Sequence, residues 1–127
     1  MRKRIKKRKF GRNSDQRRAL LKSLASNLIL RERIETSLSK AKEVRPLVER
    51  LITRSKEDGF NTARYLEARL DKRAAEKARK VLGKRFEKRP GGYLRIIKTI
   101  SNRHDHSPMA IIEFVGEEQK EAVVKEA

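Results

Sequence analysis

Two sets of five apolar residues constrain the fold before anything else in the chain does. Leu21, Leu24, Ala25, Leu28 and Ile29 recur at helical spacing, and Val44, Leu47, Val48, Leu51 and Ile52 repeat the pattern. Each set lays one apolar stripe along a helix, so the two helices need a common core. The first is expected over residues 14–31, with Asn13 or Ser14 as N-cap; with Asn13 as the cap, Gln16 completes a capping box. The second is expected to start at a cap on Ser39 and to end at Gly59. Pro46 falls inside it and has no N–H for the Lys42 carbonyl, so the helix either kinks there or begins as a separate piece.

Between them, residues 33–37 (RIETS) are too short and too β-branched for a helix and read as a brief strand. Residues 62–82 carry a weaker apolar signal, Ala63, Leu66 and Leu70 followed by Ala74, Ala78, Val81 and Leu82. Its change of phase predicts two short helices joined near residues 71–73, with Gly83 capping the second. RPGGY marks a turn. YLRIIKTI (93–100) and MAIIEFV (109–115), separated by the turn-rich loop 101–108, then predict an antiparallel pair with Ala110, Ile112 and Phe114 on one face. The order α-β-α-α-α-β-β defines a two-layer α+β domain over 14–115, in which a small three-stranded sheet has one face covered by the two long helices. There is no internal repeat.

The charge pattern divides the chain further. Residues 2–12 hold eight Lys or Arg and no carboxylate, so residues 1–13 read as an extended basic arm that repels itself. With +8 in the first thirteen residues and −2 in the acidic tail 116–127, which is expected to be flexible, the net +18 leaves +12 for the body. The folded part therefore shares the basic character, the footprint of a nucleic-acid partner. Charged residues make up 41% of the chain and aromatics 5%, so the core has to be thin and aliphatic.

Several function classes drop out. With no Cys there is neither a disulfide nor a thiolate metal site, which suits a reducing compartment. No window has the length of an apolar membrane span, and the apolar stretch after Ala19 is too broken for a secretory signal, so a cytoplasmic location is expected. His104, Asp105 and His106 are the one cluster that resembles a metal site, but it has too few ligands, and a polar loop tip is the expected reading. Glu43, Glu49, Glu67 and Glu76 lie among Lys and Arg on helices, where surface ion pairing accounts for them. No phosphate-cradling glycine loop or nucleophile elbow is present, and neither an enzymatic activity, a small-molecule substrate nor a cofactor is expected.

The candidate contacts are accordingly cationic. Arg18 and Lys22, four apart, repel each other by a few tenths of a kcal/mol on an isolated helix, and an external anion reverses that cost. In RPGGYLR the paired Gly91 and Gly92 let backbone pass close to a phosphate, flanked by Arg89 and Arg95. Tyr93 either stacks on a base or packs in the core, and the sequence leaves the two even. Phe10 can stack on a nucleotide or cover the first helix, with the second favoured. Groove-reading DNA modules and the aromatic strand motif of single-strand RNA modules are both missing, which points to threading into a large folded RNA rather than reading sequence. A nucleoid-like DNA-binding protein is the runner-up; a metal-dependent nuclease would need the 104–106 loop to bind metal.

GRNSDQRRALLKSLASNLI, TSLSKAKEVRPLVERLIT and RPGGYLRIIK followed by PMAIIEFV occur in that order over residues 1–115. In this combination, and above all in the pairing of N-x-S-x-x-R near the start with GGY-x-R-I near the end, the chain resembles the family of the seventeenth protein of the bacterial large ribosomal subunit. The resemblance implies an α+β domain near the exit of the nascent-chain tunnel, non-catalytic, bound to large-subunit ribosomal RNA beside neighbouring large-subunit ribosomal proteins. Carried onto matching positions, the RNA-facing residues are Arg2, Lys3, Arg4, Lys6, Lys7, Arg8, Lys9 and Arg12 of the arm, Asn13, Ser14, Arg17 and Arg18 at the helix start, and the turn from Gly91 through Tyr93 to Arg95. The first residues, RKRIKKRKF, are more lysine-rich than such an arm leads one to expect.

Overall fold

A computed structural model describes residues 9–57, 59–100 and 104–115. Arg2, Lys3, Arg4, Lys6, Lys7 and Arg8 of the arm, and the acidic tail, lie outside the described residues. The elements are α1 (Ser14–Arg31), β1 (Arg33–Ser37), α2 (Leu38–Ser55), α3 (Phe60–Arg69), α4 (Lys72–Lys77), a π-helical turn (Ala78–Leu82), α5 (Gly83–Arg85), β2 (Leu94–Thr99) and β3 (Met109–Phe114). This is the α+β order expected, with the last helix built from three consecutive pieces.

α1 starts on the expected capping box. Asn13 Oδ1 accepts from the Gln16 amide at 2.9 Å, and the Gln16 side chain accepts from the Asn13 amide at 3.3 Å. The helix ends at Glu32, a non-glycine residue at φ 65° whose N–H donates to Leu28 O at 2.6 Å. Around that left-handed residue the Phe114 N–H donates to the Glu32 carbonyl at 3.1 Å, and the Glu32 carboxylate pairs with Arg85 and lies 3.4 Å from Lys77. Burial acts to raise the Glu32 carboxyl, but the hydrogen bonds and charges of Arg85 and Lys77 outweigh it and hold the group below its ordinary value.

α2 departs from expectation at both ends. Its cap is Ser37, two residues earlier than Ser39, with Oγ accepting from the Lys40 amide at 3.4 Å. It stops at Ser55, so Gly59 does not terminate it and instead stands before α3. The helix runs through Pro46 as one element; Pro46 and Lys42 are both exposed, so the donor that proline lacks is missing on the wet side of the helix.

The sheet has the order β1-β3-β2, antiparallel throughout, so β3 is central. Its register sets Ala110, Ile112 and Phe114 on the inner face, fully buried as expected, with Ile34 and Ile96 flanking Ile112. α2 packs against all three strands and α1 against β1. One cross-sheet row on the other face is ionic. Glu113, only 3% exposed, accepts from Arg95 Nε at 2.7 Å and lies 3.6 Å from Arg33.

The π-helical turn has a packing reason. Ala74, Ala78, Leu82 and Phe86 all face the core at intervals of four, whereas an α-helix turns every 3.6 residues and such a stripe drifts off the buried face. One wider turn retards the rotation and keeps the stripe on the core. Gly83 is therefore inside a helix at φ −59°, not at a left-handed cap as expected. A Cβ there would meet Ser55 O at 2.5 Å and Ser55 C at 2.9 Å, so glycine is what lets the helix lie against the backbone of α2.

Candidate nucleic-acid interface

The root of the arm is shaped by its own arginines. Phe10 and Gly11 both have left-handed φ, 53° and 63°, which turns the chain just before the cap. Arg12 Nη1 donates to Phe10 O and Arg17 Nη1 to Arg12 O, each at 2.8 Å, tying that bend to the first turn of α1. Phe10 is half-buried and is not among the side chains that pack on the core. Lys9, Ser14 and Arg18 are exposed and Lys22 is half-buried. Asn13 Oδ1 is engaged in the cap, which limits what it can offer a ligand.

The glycine turn is open. Gly91 and Gly92 have φ of 139° and 64°, a conformation that side chains disfavour, and a Cβ at either would meet nothing within 4 Å. Backbone geometry, not crowding, asks for glycine here, and the same openness leaves room for an incoming phosphodiester. Arg89 Nε donates to the carbonyls of both glycines at 3.2 Å, and Lys56 Nζ donates to the Arg89 carbonyl. Arg95 is 56% exposed while bonded to Glu113, so one edge of its guanidinium is fixed and the side chain still meets solvent.

Tyr93 is a correction. It is 1% exposed, with its ring 5.2 Å from Phe86 and its hydroxyl hydrogen-bonded to Thr53 Oγ1 at 3.1 Å. A ring enclosed in this way has no face for a base, so Tyr93 is a core residue of the turn that positions Gly91 and Gly92. Arg69, which sequence reasoning left out, has its guanidinium 3.8 Å from the centroid of the Tyr65 ring, and Arg54 lies 5.0 Å from the same centroid. The four-residue spacing of Tyr65 and Arg69 was the available signal.

His104, Asp105 and His106 are all exposed, and the Asp105 carboxylate accepts from the Ser107 amide. Among the described residues, no group of three or more His, Asp or Glu stands together as a metal site, and no helix is long and apolar enough to cross a membrane.

The described residues form a small, strongly basic α+β body whose largely aliphatic core is closed by Phe86, Tyr93 and Phe114. Residues 20–115 match the family model described as Ribosomal protein L17, and the chain belongs to that family, whose members are structural and not enzymatic. Similar proteins include the large ribosomal subunit protein bL17 of Nautilia profundicola, 52% identical over 87% of this chain and 94% of its own. The protein of that name from Thermomicrobium roseum is 47% identical over 91% of this chain and 100% of its own, and the one from Rickettsia bellii 44% over 91% and 82%.

Proposed function

We propose that the chain is a structural constituent of the large ribosomal subunit that binds and neutralises large-subunit ribosomal RNA near the nascent-chain tunnel exit, supporting assembly and translation in the cytoplasm. Membership of the ribosomal protein L17 family carries the reading. The chemistry agrees with it. The body holds +12 without the arm, and Lys9, Arg12, Arg17, Arg18, Lys22, Arg89 and Arg95 provide phosphate donors from two separate stretches of chain. The tunnel-exit location and the contact with neighbouring ribosomal proteins are proposed on the family resemblance alone.

The arm and the body have separate roles in this reading. Residues 1–13 reach into the phosphate lattice, residues 14–115 form the rRNA-binding domain, and the acidic residues 116–127 have no assigned contact. Deleting residues 2–9 removes seven cations. The helical circular dichroism of the body is expected to stay nearly unchanged, while affinity for large-subunit RNA falls and its dependence on salt flattens, because fewer counterions are released. A deletion that unfolds the body, or leaves the salt slope as it was, contradicts the division. In the same titrations duplex DNA competes poorly if the reading is right; equal competition by DNA would favour a nucleoid-like role.

A further inference from the structure

Residues that are far apart in sequence meet along one groove. It has a volume of about 690 Å³ and is lined by Arg18 and Lys22 of α1, Leu47 of α2 and Arg69 of α3, with Leu21 among its apolar wall residues and Asp15 as its one carboxylate. The volume falls in the roughly 300–1,000 Å³ range of small-ligand sites. Three cations against one anion leave the groove at +2. Arg18 and Lys22 are the like-charged pair that an anion would relieve.

Arg69 adds a feature that a plain basic patch lacks. Its guanidinium lies over the Tyr65 ring at 3.8 Å, and its Nη1 donates to the Tyr65 carbonyl at 3.3 Å. Tyr65 in turn packs against the hydrophobic core. The exposed guanidinium is thereby restrained against a ring anchored in the core, so it has less freedom left to lose when a ligand arrives. A flat cation beside an apolar wall suits the π-face of a base, while the ammonium and guanidinium of α1 suit its phosphate.

We propose that this groove holds an unpaired nucleotide of RNA, its base stacked on the Arg69–Tyr65 pair and its phosphate between Arg18 and Lys22. The proposal rests on the RNA-binding reading above and makes α3 part of the interface. An acidic peptide would use the three cations but not the planar stack, and that difference decides the test.

Affinity for large-subunit RNA is measured over a range of salt for the full chain, Arg69→Lys and Arg69→Ala, with thermal melts confirming that each variant folds. Arg69→Lys keeps the charge and loses the planar stack. It is expected to bind about 10-fold more weakly, the loss of one stacked base, at an unchanged salt slope. Arg69→Ala is expected to lose at least as much and to flatten the slope. The chain has no cysteine, so Ala68→Cys carries a unique short-range photocrosslinker on the rim of the groove, and crosslinks to unpaired nucleotides are expected. If the parent binds RNA and Arg69→Lys binds equally well, the nucleotide site is wrong while the RNA reading stands. Crosslinks in assembled subunits that go to an acidic protein segment would likewise overturn it. Failure of the parent to bind RNA would remove the reading beneath both.

Discussion

Gly83→Ala is expected to destabilise the protein by about 3 kcal/mol, although it places a better helix former inside a helix. Propensity alone argues the opposite sign, since alanine is favoured over glycine by about 1 kcal/mol in a helix interior. The decisive fact is where the new methyl group would go. It would stand 2.5 Å from Ser55 O and 2.9 Å from Ser55 C, both backbone atoms of α2 that no rotamer change can move. Helix and α2 would have to separate, loosening Leu51, Ile52, Leu82 and Phe86, which are buried nearby. Overpacking of this kind costs roughly 1–3 kcal/mol and occasionally more. For a chain of this length the expectation is a fall in Tm of about 10 °C. Gly59→Ala is the control, because a Cβ there meets nothing within 4 Å and no shift beyond about 0.5 kcal/mol is expected. An unchanged or raised Tm for Gly83→Ala would mean that the contact with Ser55 is not as close as described.

Tyr93→Ala carries the second large effect, a loss of roughly 3–5 kcal/mol on the scale of buried aromatic truncations. The residue closes an aromatic cluster in which Phe86 lies 5.2 Å from Tyr93 and 5.8 Å from Phe114. Lys56 Nζ lies 4.8 Å from its ring, and Val115 N–H donates to its carbonyl at 2.8 Å. Tyr93→Phe separates the ring from the hydroxyl and is expected to cost only about 1 kcal/mol, the bond to Thr53. Tyr93→Leu distinguishes packing from stacking. A core role predicts lower stability with RNA affinity of the folded protein unchanged; intact stability with weakened RNA binding would restore the stacking role.

Much of the fold was legible because its elements are local. The apolar stripes of α1 and α2 announce themselves at spacings of three and four, and the capping box at Asn13 and Gln16 needs only four residues to be read. The alternation around Ala110, Ile112 and Phe114 gave the inner face of β3 in the same way. What failed to show were contacts between distant segments. Gly83 resembles a helix stop, since glycines often follow helices, and nothing local reveals that Ser55 will press against it. Ser37 and Ser39 are equally good caps by type, and the difference depends on where β1 ends. The two roles open to Tyr93 are separated only by contacts with Phe86, just past the end of α5, and with the segment at the end of β3.

Of the proposed phosphate donors, Arg18, Arg89 and Arg95 are exposed and Lys22 is half-buried. The spacing of Tyr65 and Arg69 is local, but that Arg69 lines a groove with Arg18 and Lys22, more than forty residues away, is not readable from any local pattern. Arg95 turned out to be bonded to the nearly buried Glu113, an arrangement that depends on the register of β2 against β3.

In the proposed function the protein sits in the large ribosomal subunit and is held there by phosphate contacts. Sedimenting an extract carrying the tagged protein through gradients at low and at high salt puts both to the test. Migration with the large subunit at low salt and release at high salt is the predicted result, as counterion release requires. Protein that stays at the top of the gradient at low salt, or that follows the DNA, would contradict the account.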